Sequence, residues 1–343
     1  MNIPINDEQN HLLVPTPIGL YCPEGDFYID PMRKVDRALI THGHADHARP
    51  GHNHVLATPE TLTIMAARYG ERHAQHTQAI DLGTTIKHHG VDITFFPAGH
   101  ILGSAQIRVH NKMQTTVVSG DYKRRHDPTC VAFEPVSCDI FITEATFALP
   151  VFTHPDDGIE LQRLLKRMCQ EPNQTVLLGC YALGKAQRIV MRLRALGYDQ
   201  PIGLHGAMQK LFDVYAAMGC ALGSVMPITR DTDISPGMLI LCPPSALHDR
   251  WSRRFEPALR VMASGWMTVR ARARQRHAEL GLRISDHADW PELLQTIDEV
   301  KAEEIWITHG REDALMHACS LNNQKARPLR MIGYDDDEET VEQ

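Results

Sequence analysis

His42-Gly43-His44-Ala45-Asp46-His47 follows directly on the apolar run Ala38-Leu39-Ile40-Thr41. Four metal-capable side chains therefore sit in one short loop, at the end of a segment that reads as a buried strand. Neutral imidazole suits zinc and similar transition ions, and the carboxylate suits harder ions as well. A loop of this composition can feed two adjacent cations. The chain has 20 histidines in 343 residues, and that abundance alone does not place three of them and an aspartate at one strand end. One loop rarely completes a dinuclear site, so further ligands are expected at other strand ends. His100 in Pro97-Ala98-Gly99-His100 follows a strand expected over 92–96. Asp121 in Ser119-Gly120-Asp121 ends one over 115–119, and His309 in Thr308-His309-Gly310 ends one over 305–308. Each combines an apolar strand, a ligand type and a neighbouring glycine, which lets backbone approach a crowded ion.

The length exceeds one average domain and allows a large core. A composition of 43% hydrophobic and 22% charged residues is that of a globular protein. The formal net charge of −7 argues against a uniformly basic nucleic-acid binder but leaves room for a local basic surface. Eight scattered cysteines form no CxxC pair, which suggests reduced thiols and a cytoplasmic setting. The first ten residues are mostly polar, and no stretch reaches the ~20 apolar residues of a membrane span. Secretion and membrane insertion are disfavoured.

Short strands are expected over 26–29, 38–41, 92–96, 105–110, 115–119 and 139–143, with a helix over 60–69. From about residue 150 helix and strand alternate. Helices are expected over 157–169, 185–196 and 208–218, and strands over 175–178, 202–204, 238–242 and 259–262. That rhythm predicts βα units on a parallel sheet. A strand over 282–285, a helix over 291–301, a strand over 305–308 and a helix over 313–325 complete the pattern.

With these ligand stretches in place, the chain resembles the metallo-β-lactamase superfamily, an αββα sandwich of the α/β class. Asp30, ending Phe27-Tyr28-Ile29-Asp30, matches that fold's first acid, which supports the ligand loop. The resemblance implies that His42, His44 and His100 hold one metal. Asp46, His47 and His309 would hold the other, with Asp121 bridging. Two divalent ions, zinc or manganese, would bind a bridging hydroxide that attacks phosphorus and clamp the oxygens of an in-line displacement. Asp46 and Asp121 then belong to the catalytic set as well. Metal lowers the pKa of bound water towards ~7, so no protein base is required.

Glu144 in Ile142-Thr143-Glu144-Ala145-Thr146-Phe147 and His287 in Ser285-Asp286-His287-Ala288-Asp289, together with His309, resemble the three extra signatures of the β-CASP nucleases. In that group an α/β domain is inserted into the metallo-β-lactamase fold, and the two domains form a nucleic-acid cleft. Residues 1–150 and 276–334 would form the metallo-β-lactamase domain, 151–275 the β-CASP insert and 335–343 an acidic tail. The resemblance makes His287 the general acid that protonates the leaving oxygen, with Glu144 orienting it. A carboxylate neighbour keeps a proton available on an imidazole. Asp289, directly before Trp290-Pro291, is a better helix cap than His287.

Leu178-Gly179-Cys180-Tyr181-Ala182-Leu183-Gly184-Lys185-Ala186 mimics a P-loop, but Ala186 stands where Ser or Thr would bind magnesium, so nucleotide hydrolysis is rejected. Gly184 and Lys185 at a helix start are instead expected to meet a nucleic-acid phosphate. Ala263-Ser264-Gly265-Trp266 resembles a turn beside a terminal-phosphate pocket in the Artemis and crosslink-repair branch, so Ser264 is a phosphate candidate. Arg124, with Lys123 and Arg125 after Asp121, is expected to face substrate. The basic run Arg250, Arg253, Arg254, Arg260, Arg270, Arg272, Arg274 and Arg276 is expected to meet backbone phosphate.

Over about residues 12–333, including Leu20 to Asp30, Ala48-Arg49-Pro50-Gly51-His52 and Ser285 to Trp290, the chain looks like the bacterial ligase-associated DNA exonucleases. That likeness implies DNA repair beside a DNA ligase and a helicase. His309 and Glu144 look like the RNA-processing members, so DNA preference follows from family likeness and RNA is the alternative. A small-molecule hydrolase of the fold would need neither basic insert nor His287. A catalytically dead scaffold would be expected to have lost ligands.

Overall fold

A computed structural model of the chain describes residues 11–269, 278–310 and 312–329. The chain divides into two compact units. One comprises Met1–His126, Cys130–Pro150 and His287–Gln343, and the other Asp127–Thr129 and Val151–Asp286.

The first unit opens with β1 (Val14–Thr16), β2 (Gly19–Cys22), β3 (Phe27–Ile29), β4 (Arg37–Leu39), β5 (His54–Ala57), helix α1 (Pro59–Tyr69) and β6 (His76–Ala79). These strands form one sheet in chain order, with β3, β4, β5 and β6 parallel. Next come β7 (Thr85–His88), β8 (Val91–Pro97), β9 (Ala105–His110), β10 (Thr115–Val118) and β11 (Ile140–Ala145). Strand β8 shows why such segments extend: Val91, Ile93 and Phe95 alternate along it and bury one face against the first sheet.

The second unit holds α2 (Asp157–Gln170), β12 (Thr175–Gly179), α3 (Lys185–Ala195), β13 (Ile202–Leu204), α4 (Gln209–Ala217), β14 (Val225–Pro227), β15 (Leu239–Cys242), β16 (Ala258–Ala263) and β17 (Leu280–Leu282). Its sheet is parallel in the order β14-β13-β15-β12-β16-β17. Leu177, Ile240, Cys242 and Met262 form its core with Leu247 and Phe255.

The chain then returns to the first unit with α5 (Trp290–Val300), β18 (Glu304–Gly310), α6 (Glu312–Leu321) and β19 (Lys325–Pro328). Strands β18 and β19 complete the second sheet, β19-β18-β11-β10-β9-β8-β7. Three buried layers make this unit an αββα sandwich. Leu39, Leu56, Ile93, Ile107 and Ile142 meet between the sheets. Ala38, Val55 and Ala57 pack outward with Met65 of α1. Phe141, Ile305 and Ile307 pack outward with Leu293 and Ile297 of α5 and Leu315 of α6.

Several elements differ from the sequence expectations. The strand expected over 282–285 lies at Leu280–Leu282, where it pairs with β16, and the second unit runs on to Asp286 rather than ending at 275. The helix expected to reach 325 stops at Leu321. Asn323 takes a left-handed conformation (φ 55°), and the chain turns into β19. Strands β6 and β7 escaped the sequence reading because each is an edge strand. All four residues of β6 are exposed, so it carries no period-two apolar signal. The expected acidic tail lies outside the described residues.

Candidate metal centre

The parallel strands β10, β11 and β18 are neighbours, so their carboxyl ends lie side by side. Asp121, Glu144 and His309 stand at those ends. The register between β11 and β18 shifts between Glu144 and Ala145, a bulge that re-aims the strand end. Gly310 faces that bulge at φ 120°, and a Cβ there would lie 2.2 Å from the Ala145 carbonyl oxygen. In the other sheet, β3 leads to Asp30 and β4 leads to the His42–His47 loop.

Asp30 sets the orientation of that loop. Its carboxylate accepts from the Thr41 N–H at 2.8 Å and from the Thr41 hydroxyl at 2.6 Å. It also lies 2.8 Å from His47 Nδ1. With its hydrogen donated to Asp30, Thr41 Oγ1 is an acceptor for His42 Nδ1 at 3.0 Å. Both rings thus have Nδ1 engaged and turn Nε2 to the centre, the arrangement that fixes an imidazole for metal ligation. Gly120 passes so close that a Cβ would lie 2.8 Å from Thr41 Cβ. Thr41 was not singled out in the sequence; its position immediately before His42 was the available signal.

The nitrogens converge. His42 Nε2 lies 3.1 Å from His44 Nδ1, and His100 Nε2 lies 3.0 Å from the same atom. Asp121 Oδ2 is 3.3 Å from His42 Nε2, 3.4 Å from His47 Nε2 and 3.7 Å from His100 Nε2. His42, His44, His100 and Asp121 form one group able to hold a metal ion, and His47, Asp121 and His309 form a second. A donor set of imidazole nitrogens and one shared carboxylate fits two borderline cations. Asp46 lies beside the second group without belonging to it. It is half-buried, with Oδ2 3.6 Å from His47 Nε2.

The shifts of Asp121, His100 and His309 suit this donor set, and that of His47 runs against it. Burial opposes ionisation of Asp121, but His47 and His42 outweigh it and hold the carboxyl well below the usual range. Burial, reinforced by His42 and His287, pushes His100 well below the usual imidazole range. Burial and His47 bring His309 down to about 4. His47 moves the other way, because Asp121 and Asp46 outweigh its burial. An ionised carboxylate beside neutral His100 and His309 is what a divalent ion requires.

Beside the nitrogens lies a carboxylate–imidazole pair. Glu144 Oε2 is 2.7 Å from His287 Nδ1, and both side chains are buried. Glu144 is held in turn by the Tyr122 N–H at 2.7 Å and the Thr146 hydroxyl at 2.6 Å. The His287 ring stands 4.8 Å from that of His100, centre to centre. Thr146 also went unremarked in the sequence, although it lies two residues after Glu144.

The residues expected to meet phosphate each have partners within the protein. The Gly184 N–H donates to Gln187 Oε1 at 2.8 Å within the α3 cap. Lys185 is buried, with its ammonium 3.1 Å from Asp286 Oδ2. Ser264 is buried too, and its hydroxyl accepts from the Trp266 N–H to cap a short turn. Arg124 donates to Glu299 at 2.7 Å and to Thr296 at 3.1 Å. Gly184, Lys185 and Arg124 thus each engage a partner inside their own unit, while the Ser264 hydroxyl serves there as an acceptor. Of the basic run, Arg250, Arg253 and Arg254 are exposed, while Arg260 pairs with Glu256. Arg270, Arg272, Arg274 and Arg276 lie outside the described residues.

Lys185 belongs to a buried ionic cluster around Arg188, one helical turn along α3. Arg188 is 1% exposed. It lies 2.8 Å from Asp286, 3.4 Å from Asp157 and 3.8 Å from Asp127, and it donates to the Ser285 carbonyl at 3.0 Å. Removing one member of such a cluster strands the others in a low dielectric. Arg188→Met is expected to lower stability by about 3–5 kcal/mol. Urea unfolding of parent and variant checks this, and a change below about 1 kcal/mol would class the cluster with weak, solvent-screened pairs.

No protein-family model matches the chain. A probable DNA ligase from Opitutus terrae is 28% identical over 300 residues, 85% of this chain and 28% of that protein. The endoribonuclease YSH1 of Gibberella zeae is 29% identical over 233 residues, 57% of this chain and 27% of its own. The transcription termination factor FttA of Methanosarcina mazei is 26% identical over 242 residues, 57% and 37% of the two chains. The chain thus spans well under half the length of these curated relatives. A crystal structure of a protein of unknown function from Enterococcus faecalis shares the fold, with a TM-score of 0.56 at 14% identity over 85% of this chain and 78% of that one. Architecture and kinship agree: the chain has the metallo-β-lactamase fold and is similar in sequence to β-CASP nucleases and to a probable DNA ligase.

Proposed function

We propose that the chain is a two-metal phosphodiesterase that degrades DNA from an end, in repair. The observation that supports this most strongly is the convergence of ligand types from separate strand ends beside the Glu144–His287 pair. His42, His44 and His100 would hold one divalent ion, and His47, His309 and Asp46 the other, with Asp121 shared. Zinc or manganese ions there would stabilise charge on the phosphate and make a water acidic near neutral pH.

The chain's own groups supply the rest. Glu144, fixed by Tyr122 and Thr146, holds His287 by Nδ1 and so turns Nε2 to the leaving oxygen, which takes its proton. Thr41 and Asp30 keep the ligand rings from swinging as charge develops. DNA is favoured because the relative named a DNA ligase aligns with 85% of this chain, whereas the endoribonuclease YSH1 of Gibberella zeae aligns with 57%. The same relative supports action alongside a ligase, and by resemblance a helicase. No helix among the described residues is long and apolar enough to cross a membrane. No disulfide joins the eight cysteines, in keeping with a cytoplasmic setting.

Labelled single- and double-stranded DNA and matched RNA, offered with zinc, manganese or magnesium, test the reading. Expected is metal-dependent, stepwise shortening of DNA that a chelator abolishes. Cleavage of RNA alone would establish the ribonuclease reading, which Glu144 and His309 favour by resemblance. Inertness towards both polymers in the metal-loaded protein would defeat the nuclease assignment.

A further inference from the structure

The loop that carries Asp121 continues into Tyr122, Lys123, Arg124 and Arg125, and it touches every part of the acid machinery. The Tyr122 N–H donates to Glu144, and its carbonyl accepts from the Ala288 N–H at 2.7 Å, one residue after His287. Helix α5 begins two residues further on. Asp289 caps it through a box: the Glu292 N–H donates to Asp289 Oδ1 at 3.2 Å, and the Asp289 N–H donates to Glu292 Oε2 at 3.1 Å. Arg125 grips this box from outside. Its Nε lies 3.1 Å from Glu292 Oε1 and its Nη2 donates to Glu292 Oε2 at 3.2 Å, with Nη1 3.9 Å from Asp289. Arg124 fastens the next turns of α5 through Thr296 and Glu299.

We propose that Arg125 is a positioning residue for His287, acting through the α5 capping box; this rests on the general-acid reading above. The guanidinium fork matches both carboxylate oxygens of Glu292, a geometry lysine cannot reproduce. Losing it frees the first turn of α5 and with it the backbone just after His287. The imidazole then drifts from the leaving oxygen, while Asp121 and the other ligands, held by their own strands, stay in place. Proton transfer is sensitive to such drift, since a displacement of about 1 Å can cost ~10²-fold.

Leaving-group dependence separates this role from general damage. A DNA oligonucleotide releases an alkoxide that needs a proton, whereas the 4-nitrophenyl ester of thymidine monophosphate releases a phenolate that does not. Arg125→Met is expected to lower kcat on DNA by about 10- to 100-fold with KM and metal content unchanged. Turnover of the nitrophenyl ester should be retained, and Arg125→Lys should not restore the DNA rate. Glu292→Gln keeps the cap but weakens the grip, so it should show the same selectivity to a smaller degree; it carries the test should Arg125→Met fail to fold. Equal losses on both substrates, or an undiminished DNA rate, would overturn the positioning role. His287→Ala is the control: failure of that variant to discriminate the two substrates would bring down the general-acid reading instead.

Discussion

Asp121→Ala is expected to bind almost no divalent metal and to lose phosphodiester cleavage. Its carboxylate alone stands within 3.3–3.7 Å of ring nitrogens from both ligand groups, so removing it empties both sets at once. The lost group also supplies, with Asp46, the negative charge that raises His47, and it opposes the effect of burial at His100 and His309. Without it, imidazoles crowd together with less to attract a cation. Groups that only orient ligands cost 10- to 100-fold when removed. A shared ligand should cost more than ~100-fold in kcat on DNA. Elemental analysis of the dialysed protein and a labelled-DNA assay give the two readouts. Near-parental turnover would remove Asp121 from the bridging position.

His287→Ala is expected to keep its metal and to cleave DNA slower by about 10²- to 10⁴-fold, the scale of a lost general acid. The physical basis is the 2.7 Å contact with Glu144, which fixes the tautomer and supports a proton on the ring. A competing arrangement exists in the same place, because Asp121, Glu144 and His287 also lie close enough to hold an ion. The two differ in metal content: a general acid leaves it intact, whereas a ligand takes an ion with it. An alanine variant that lost one equivalent of metal would therefore reassign His287.

Much of the centre was legible because its signals are local. A ligand loop after one apolar strand, and His100, Asp121 and His309 after three others, need only strand ends to face one way for the pattern to close. Strands such as β8 and β9 were legible from their apolar runs, whereas the sandwich came from the family resemblance. What escaped was decided by distant partners. The sequence offered Lys185 to phosphate and Arg124 to substrate, and nothing nearby announced Asp286 or Glu299, which reach them only through the fold. Ser264 and Gly184 were expected at phosphate, and the local turns that their hydrogen bonds close went unread, a use such residues share with anion sites. Thr41 and Thr146 were overlooked because a hydroxyl has no charge to draw attention, yet each fixes the group beside it. Strand β6 lacked any apolar face to betray it.

Tyr122 ties Glu144 to the residue after His287 through its own amide and carbonyl, with the phenol ring taking no share. Alanine scanning is blind to such a link, since every amino acid but proline brings the same peptide atoms. Among coded substitutions at this position only proline strips an atom from the tether, by removing the amide hydrogen that Glu144 accepts.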